Sequence, residues 1–356
     1  GVGPVCGRGP CRRCVRDSST VALHKFSDVE AFVVIDLDGA DVSAGIVRCA
    51  PKVLQDGTRW LARSATYQFA SIERRISGAS AGINAPADAA ADAIAAFVTE
   101  AMGDGPAASV LFEPGRGVGP GALSALRDRD PRPDRWWELK GELVNAGAVE
   151  AAARACGGLD GRTVAIEGFD GAGPSLVTML AARGARVVAV STAKGTLHET
   201  AGIDADDLVS AWSDHGAGLV SARGSEPAGA DAVFGVECDL LFVGSKVGVL
   251  DDSATSSFGP KVVVPTSAMP VATKALASLG RAGVVVLPDF VTTAGHLAAW
   301  PESGDVPADV VAAAADLVGP IIDEVLPHAS GPLLGACELA EAFLLTWNDA
   351  LPFGRP

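Results

Sequence analysis

Long apolar runs are missing from this chain. None approaches the roughly eighteen residues that a membrane-spanning helix needs, so no membrane partner is expected. The first residues show no charged-then-apolar segment of the signal type, and the expectation of a cytoplasmic protein rests on the scattered cysteines. Basic residues are scarce: 28 Lys and Arg face 43 Asp and Glu, a formal charge of −15. Nucleic acid is therefore not expected as a partner, because phosphate binding requires clustered cations. Tyr67 is the only tyrosine, against an abundance of Ala and Gly, a bias of composition with no functional reading. Cysteine is sparse and odd in number, with seven in all. Cys49, Cys156, Cys238 and Cys337 stand singly and read as reduced core thiols.

The first sixteen residues reverse the charge, with Arg8, Arg12, Arg13 and Arg16 and no acid before Asp17. They also hold the remaining cysteines, Cys6, Cys11 and Cys14, in the spacing C-x4-C-x2-C. Three thiols so close, flanked by arginines that favour the thiolate, are a candidate metal site. Zinc with His24 or Cys49 as fourth ligand is one reading. An iron–sulfur cluster is another, since plant-type sites share the spacing. A reduced tail, or a docking element for a protein partner, completes the alternatives.

With 356 residues, 48% of them apolar, the chain is too long for one ordinary core and fits two domains. Ala31–Ile35 reads as a strand, with Ala44–Cys49 as its neighbour across a short Asp/Gly turn. Helical spacing follows over residues 54–70 and 85–102, then a strand at 109–112 and a glycine-dense loop at 115–121. Pro131 and Pro133 mark a boundary near residue 135. Beyond it, helix 139–156, strand 163–166, helix 175–182 and strand 186–191 alternate. Apolar runs recur at 240–243, 262–264 and 284–287, and a helical tail from 308 to 347 is broken by Pro320 and Pro332. This alternation implies a doubly wound parallel sheet. The expected domains are a Cys/Arg-rich extension (1–22), a substrate-binding and dimerisation domain (23–138), a Rossmann-like domain (139–305) and a C-terminal helical segment (306–356).

The turn Glu167-Gly168-Phe169-Asp170-Gly171-Ala172-Gly173 stands where a Rossmann domain carries G-x-G-x-x-G. Gly168 and Gly173 fit the outer glycines, with Gly171 between them, but Asp170 replaces the glycine that lets backbone approach a pyrophosphate. Two unit charges about 4 Å apart at an effective dielectric of about 20 repel by about 4 kcal/mol. The next strand ends in Ser191-Thr192 without the acid that would hold ribose hydroxyls, and Lys194 follows. Thr192 and Lys194 could meet the 2′-phosphate of NADP; the other reading is a Rossmann fold that binds neither NAD nor NADP.

Several stretches in order resemble the glutamate/leucine/phenylalanine/valine dehydrogenases. They are Ala44-Gly45-Ile46-Val47-Arg48, then residues 61–70 and 76–83, which are similar to "LARxMTYKxA" and "LGGGKGGI". Residues 161–173 resemble "GxTVAIxGFxxxG", and Pro288-Asp289 with Thr293-Ala294-Gly295-His296 resembles "PD…NAGG". The resemblance implies an α/β fold of two domains around a cleft, C-terminal helices packing back across both, a homo-oligomer and NAD(P)-linked oxidative deamination of an amino acid. It also implies roles that this chain's residues do not match. Gln68 stands at the lysine that anchors the substrate carboxylate, and Ser80 at the lysine that activates water. Gly117 falls where the acid/base aspartate is expected, and Ala268 and Thr293 replace two asparagines. His296 is the histidine placed for proton transfer; alternatively it is a loop histidine held by a backbone partner. Arg48 and Arg116 could form a replacement carboxylate clamp, or be ordinary loop ion-pair residues. The expected function is thus a family descendant without the deamination chemistry, binding a small molecule in the old cleft. The alternative is a repurposed NAD(P)-dependent oxidoreductase for an amino, imino or keto compound.

Overall fold

The computed structural model describes residues 21–37, 40–222, 228–300 and 309–356. Cys6, Cys11 and Cys14 lie outside them. The first half of the chain builds β1 (Ala22–Lys25), β2 (Ala31–Ile35), β3 (Ser43–Ala50), α1 (Gln55–Ser71), β4 (Ser77–Asn84), α2 (Ala90–Ala101) and β5 (Val110–Pro114). These strands form one sheet in the order β1-β2-β4-β3-β5. The pairs β4–β3 and β3–β5 are parallel, while β2 runs antiparallel to β1 and β4.

This arrangement corrects the expected neighbour of β2. β3 pairs with β4 and β5, and β4 lies between β2 and β3. The intervening strand was hidden because its residues, Ser77-Gly78-Ala79-Ser80-Ala81-Gly82, carry little strand propensity. They serve close packing instead. A Cβ on Gly78 would stand 1.9 Å from the Ala62 carbonyl of α1, so only glycine lets this helix lie so near the sheet.

The second half opens with α3 (Asp134–Cys156) and continues as β6 (Thr163–Glu167), α4 (Gly173–Ala182), β7 (Arg186–Thr192), β8 (Gly195–His198) and α5 (Ala205–His215). β9 (Leu240–Val243), β10 (Val262–Pro265), α6 (Thr273–Arg281), β11 (Val285–Val286) and α7 (Asp289–Thr292) follow. The sheet order is β11-β10-β9-β6-β7-β8, with every pair parallel except the edge hairpin β7–β8. Fully buried Val, Leu and Phe on β6, β9 and β10 explain why these strands read as continuous apolar runs. The tail forms α8 (Val310–Val325), which runs through Pro320 without stopping, and α9 (Pro332–Leu344), which starts at its proline. α8 packs on α3 and α9 packs on α1, so the tail ties the two halves together. Buried Arg63 of α1 pairs with Asp36 at 2.8 Å and donates to the Phe353 carbonyl at 2.6 Å, pinning the last residues. Among the described residues no helix is long and apolar enough to cross a membrane.

Candidate functional site

A cleft of about 260 Å³ lies between the two sheet domains. Gly45 and Ile46 of β3 and Gln68 of α1 line one side; Lys140 of α3, Ala268 and Thr293 line the other. Glu113, at the carboxyl end of β5, and His296 complete its polar groups.

Glu113 is held by an unusual set of cations. Arg132 donates to Oε1 at 2.6 Å, and Lys140 donates to Oε2. Arg132 in turn grips Asp130 through Nε and Nη2 and lies 4.5 Å from the ring centres of Trp136 and Trp137. Burial alone would push the Glu113 carboxyl up, but Lys140 and Arg132 reverse it and hold it down to about 2. The four groups, two cations and two acids, balance, so the cleft presents a fixed carboxylate with little net charge.

His296 is also buried, and its Nδ1 lies 2.8 Å from the Thr293 carbonyl. A backbone carbonyl only accepts, so Nδ1 carries the proton and Nε2 is left as an acceptor. Nε2 makes no hydrogen bond among the described residues. Burial lowers the pKa of His296 to about 4, against the partial opposition of Glu113. The ring is therefore neutral at physiological pH. An unfolded chain protonates this histidine near pH 6.5 and the folded chain only near 4, so stability should fall as pH drops through that window. His296→Asn, which keeps a donor near Nδ1, should remove on the order of 2 kcal/mol of that dependence. Urea midpoints between pH 7 and 4 check this, and an unchanged slope in the variant would rule it out.

Gln68 donates to Thr293 Oγ1 at 2.8 Å, and Thr293 donates to the Asp289 carbonyl at 2.7 Å. The amide thus bridges the two halves, and its Oε1 faces no partner among the described residues. Ser80 is fully buried in β4 with its hydroxyl on the Ile46 carbonyl at 3.3 Å, and Ala79 lines the cleft in its stead. Gly117 is not brought to the cleft. It lies beyond β5 with φ +80°, where a Cβ would stand 2.0 Å from the Cys49 carbonyl, so no acid fits there. Glu113, on β5 itself, is the acid in the cleft, and sequence reasoning missed it together with Lys140 and Arg132. A readable signal was present: Glu113-Pro114-Gly115 ends a parallel strand, the edge at which α/β sheets place functional groups.

At the glycine turn, Gly168 has φ +82° and passes so near Ser245 that a Cβ would stand 2.7 Å from its side chain. Gly173 opens α4 against the Phe169 ring, and Gly171 faces open space. Asp170 is exposed, and its Oδ1 accepts from Ala172 N at 2.9 Å. Glu167 is buried and accepts from Gly244 N and Ser245 N, both at 3.1 Å, and from the Ser245 hydroxyl. Thr192 is buried and donates to the Ala217 carbonyl at 2.7 Å, while Lys194 is exposed beside it. Asp170 thus occupies one backbone amide at the N-terminus of α4, while Glu167 is held by amides of the loop that follows β9.

Among the described residues no group of three or more His, Cys, Asp or Glu is arranged to hold a metal. His24 and Cys49, the two described members of the expected zinc set, lie on β1 and β3 with β2 and β4 between them. Either was expected as the fourth ligand, and the three cysteines that would complete the set lie outside the described residues. Cys49, Cys156, Cys238 and Cys337 are free thiols, and burial pushes Cys238 and Cys337 up to about 12.

A profile described as Glutamate/Leucine/Phenylalanine/Valine dehydrogenase matches residues 144–299, the stretch from α3 through the glycine turn to His296. Over that stretch the chain is similar to this dehydrogenase family. Glutamate dehydrogenase of Aeropyrum pernix is 30% identical over 145 residues, 41% of this chain and 34% of that protein. The NADP(+)-dependent glutamate dehydrogenase of Pyrobaculum calidifontis is 30% identical over 156 residues, 43% and 37% of the two chains. The matched stretch therefore spans about a third of these relatives' length. In three dimensions the likeness extends further. The hetero-hexameric glutamate dehydrogenase of Thermus thermophilus superposes with a TM-score of 0.70 at 22% identity, covering 90% of this chain and 86% of that one. L-tryptophan dehydrogenase of Nostoc punctiforme gives 0.63 at 16%, covering 93% and 97%. The chain shares the two-domain α/β architecture of both.

Proposed function

We propose that this chain is a divergent member of that dehydrogenase family, binds a small molecule in the interdomain cleft and does not carry out the deamination of its relatives. The observation that carries this reading is the pair of carboxylates at the dinucleotide turn. A pyrophosphate binds there through free backbone amides at a helix N-terminus, and like charges oppose it. Asp170 engages Ala172 N at the start of α4, and Glu167 places a second carboxylate beside the turn, held by the amides of Gly244 and Ser245 after β9. These residues do not fit a dinucleotide. The cleft supports the same reading: Gln68 offers an amide where relatives anchor a carboxylate with lysine, and Lys140 is committed to Glu113. When groups that act as a unit are replaced together, rate enhancement is lost as a unit. A regulatory or binding role in the old cleft, in a homo-oligomer, is the resulting function.

A titration with NADH and NADPH, following nicotinamide fluorescence at neutral pH, tests this. No binding up to about 1 mM is expected, whereas a dissociation constant in the order of micromolar for either would refute the reading. That second outcome would favour a repurposed NAD(P)-dependent oxidoreductase for an amino, imino or keto compound. Such a reading draws on Glu113, Lys140 and the free Nε2 of His296, proton-carrying groups that share one cleft. Lys194 would then meet the 2′-phosphate of NADP, and a screen of amines and keto acids would follow.

A further inference from the structure

The geometry points to a second ligand site, for a small multiply charged oxyanion, in a hollow at the carboxyl ends of β4, β3 and β5. These three strands are parallel neighbours, so their carboxyl ends open on one edge. Such an edge is where open α/β sheets receive ligands. The segments leaving the strands, together with the start of α1, wall a hollow of about 800 Å³. It is distinct from the cleft: along β3, Gly45 and Ile46 line the cleft, whereas Arg48 and Cys49 line the hollow.

Charge is the first argument. The wall carries Arg48, Lys52 and Arg116 and no Asp or Glu, in a chain whose formal charge is −15. Among the described residues none of these three cations has a carboxylate partner. The nearest acid in the first turn of α1, Asp56, is exposed and pairs with Arg59. The two arginines weighed from the sequence as a carboxylate clamp are thus brought together, but on this edge and not in the cleft.

Arg48 supplies the second argument. It is half-buried, Nη2 donates to Thr58 Oγ1 at 3.0 Å, and Nε is enclosed without a hydrogen-bond partner. A guanidinium stripped of water with neither counter-charge nor full hydrogen bonding is unfavourable, and an oxyanion would complete it.

The backbone supplies the third. Cys49 N donates to the Arg116 carbonyl at 3.0 Å, which fixes the loop along β3. Gly117 permits that approach through its left-handed φ of +80°. Leu54 and Gly57 place the N-terminus of α1 on the wall, and its N-cap, Leu54, offers no side-chain cap. The first-turn amides and helix dipole therefore add to the positive potential. Guanidinium forks match the O–X–O geometry shared by carboxylates and phosphates. The hollow is larger than one inorganic ion, which indicates a phosphorylated or polycarboxylate metabolite.

Calorimetric titration of the full chain with pyrophosphate and with citrate, at low ionic strength, tests the assignment and separates the two chemistries. Saturable binding of at least one is expected, weakening as salt is added. Arg116→Gln, at an exposed position, should weaken it by about tenfold, as should Arg48→Lys, which keeps the charge and loses the fork. Circular dichroism confirms that each variant is folded. No saturable heat with either anion up to about 10 mM, or equal affinity in parent and both variants, would overturn the proposal.

Discussion

Glu113→Ala is expected to unfold in markedly less urea than the parent, losing about 3 kcal/mol of stability. The carboxylate is buried and takes hydrogen bonds from both Arg132 and Lys140. Its removal leaves Arg132, whose side chain is 0% exposed, with Asp130 as its one remaining acid. Breaking one partner out of a buried ion pair costs about 3–5 kcal/mol, because the other charge stays desolvated. The lower end applies here, since Lys140 is 30% exposed and can turn towards water. Glu113→Gln keeps the shape and should lose less. The same substitution should also disturb the cleft, because Trp136 stacks on Arg132 and donates Nε1 to the His296 carbonyl at 3.0 Å. Equal urea midpoints for parent and Glu113→Ala would show that this network does not hold the cleft together.

Gly78→Ala should be comparably damaging, although it adds a single methyl group. The new Cβ would stand 1.9 Å from the Ala62 carbonyl and 2.4 Å from Thr66 N, both backbone atoms of α1. Neither can yield by a rotamer change, so helix and sheet must separate by more than an ångström. That would also strain the bond from Gly78 N to Thr66 Oγ1, now 2.9 Å. Overpacking of this kind costs about 1–3 kcal/mol, and clashes with backbone place the loss near about 3 kcal/mol. Thermal and urea unfolding measure it. Gly57→Ala is the control, since a Cβ there meets nothing within 4 Å and alanine favours the helix. If the two alanine variants are equally stable, the close approach of α1 to β4 carries no weight.

These two positions also show how unevenly the sequence disclosed the molecule. Gly78 was visible as part of a family-like glycine segment, but the motif said nothing of its being a buried central strand. Small residues leave no alternation of apolar and polar side chains to read, and their strand character comes from neighbours on both sides. Glu113 precedes the glycine loop in which the resemblance implies the acid/base residue, so the motif points past it to Gly117. Arg132, between two prolines and beside acids, looked like linker; its burial depends on Trp136, Trp137 and Trp300, which surround it. Gln68 and His296, by contrast, fell in the cleft where the resemblance placed them.

The sequence by itself determined the fold class. Apolar runs at β6, β7, β9 and β10, the glycine turn after β6 and the helices between them are local patterns, and local patterns survive in a linear string. Only the tertiary structure decided what each charged group does, because its partners are far away along the chain. Glu113 meets Lys140 across 27 residues, Gln68 meets Thr293 across 225, and Glu167 meets Ser245 across 78. A carboxylate's effect on a ligand depends on which amides and cations already engage it, and those come from elements that folding alone brings together.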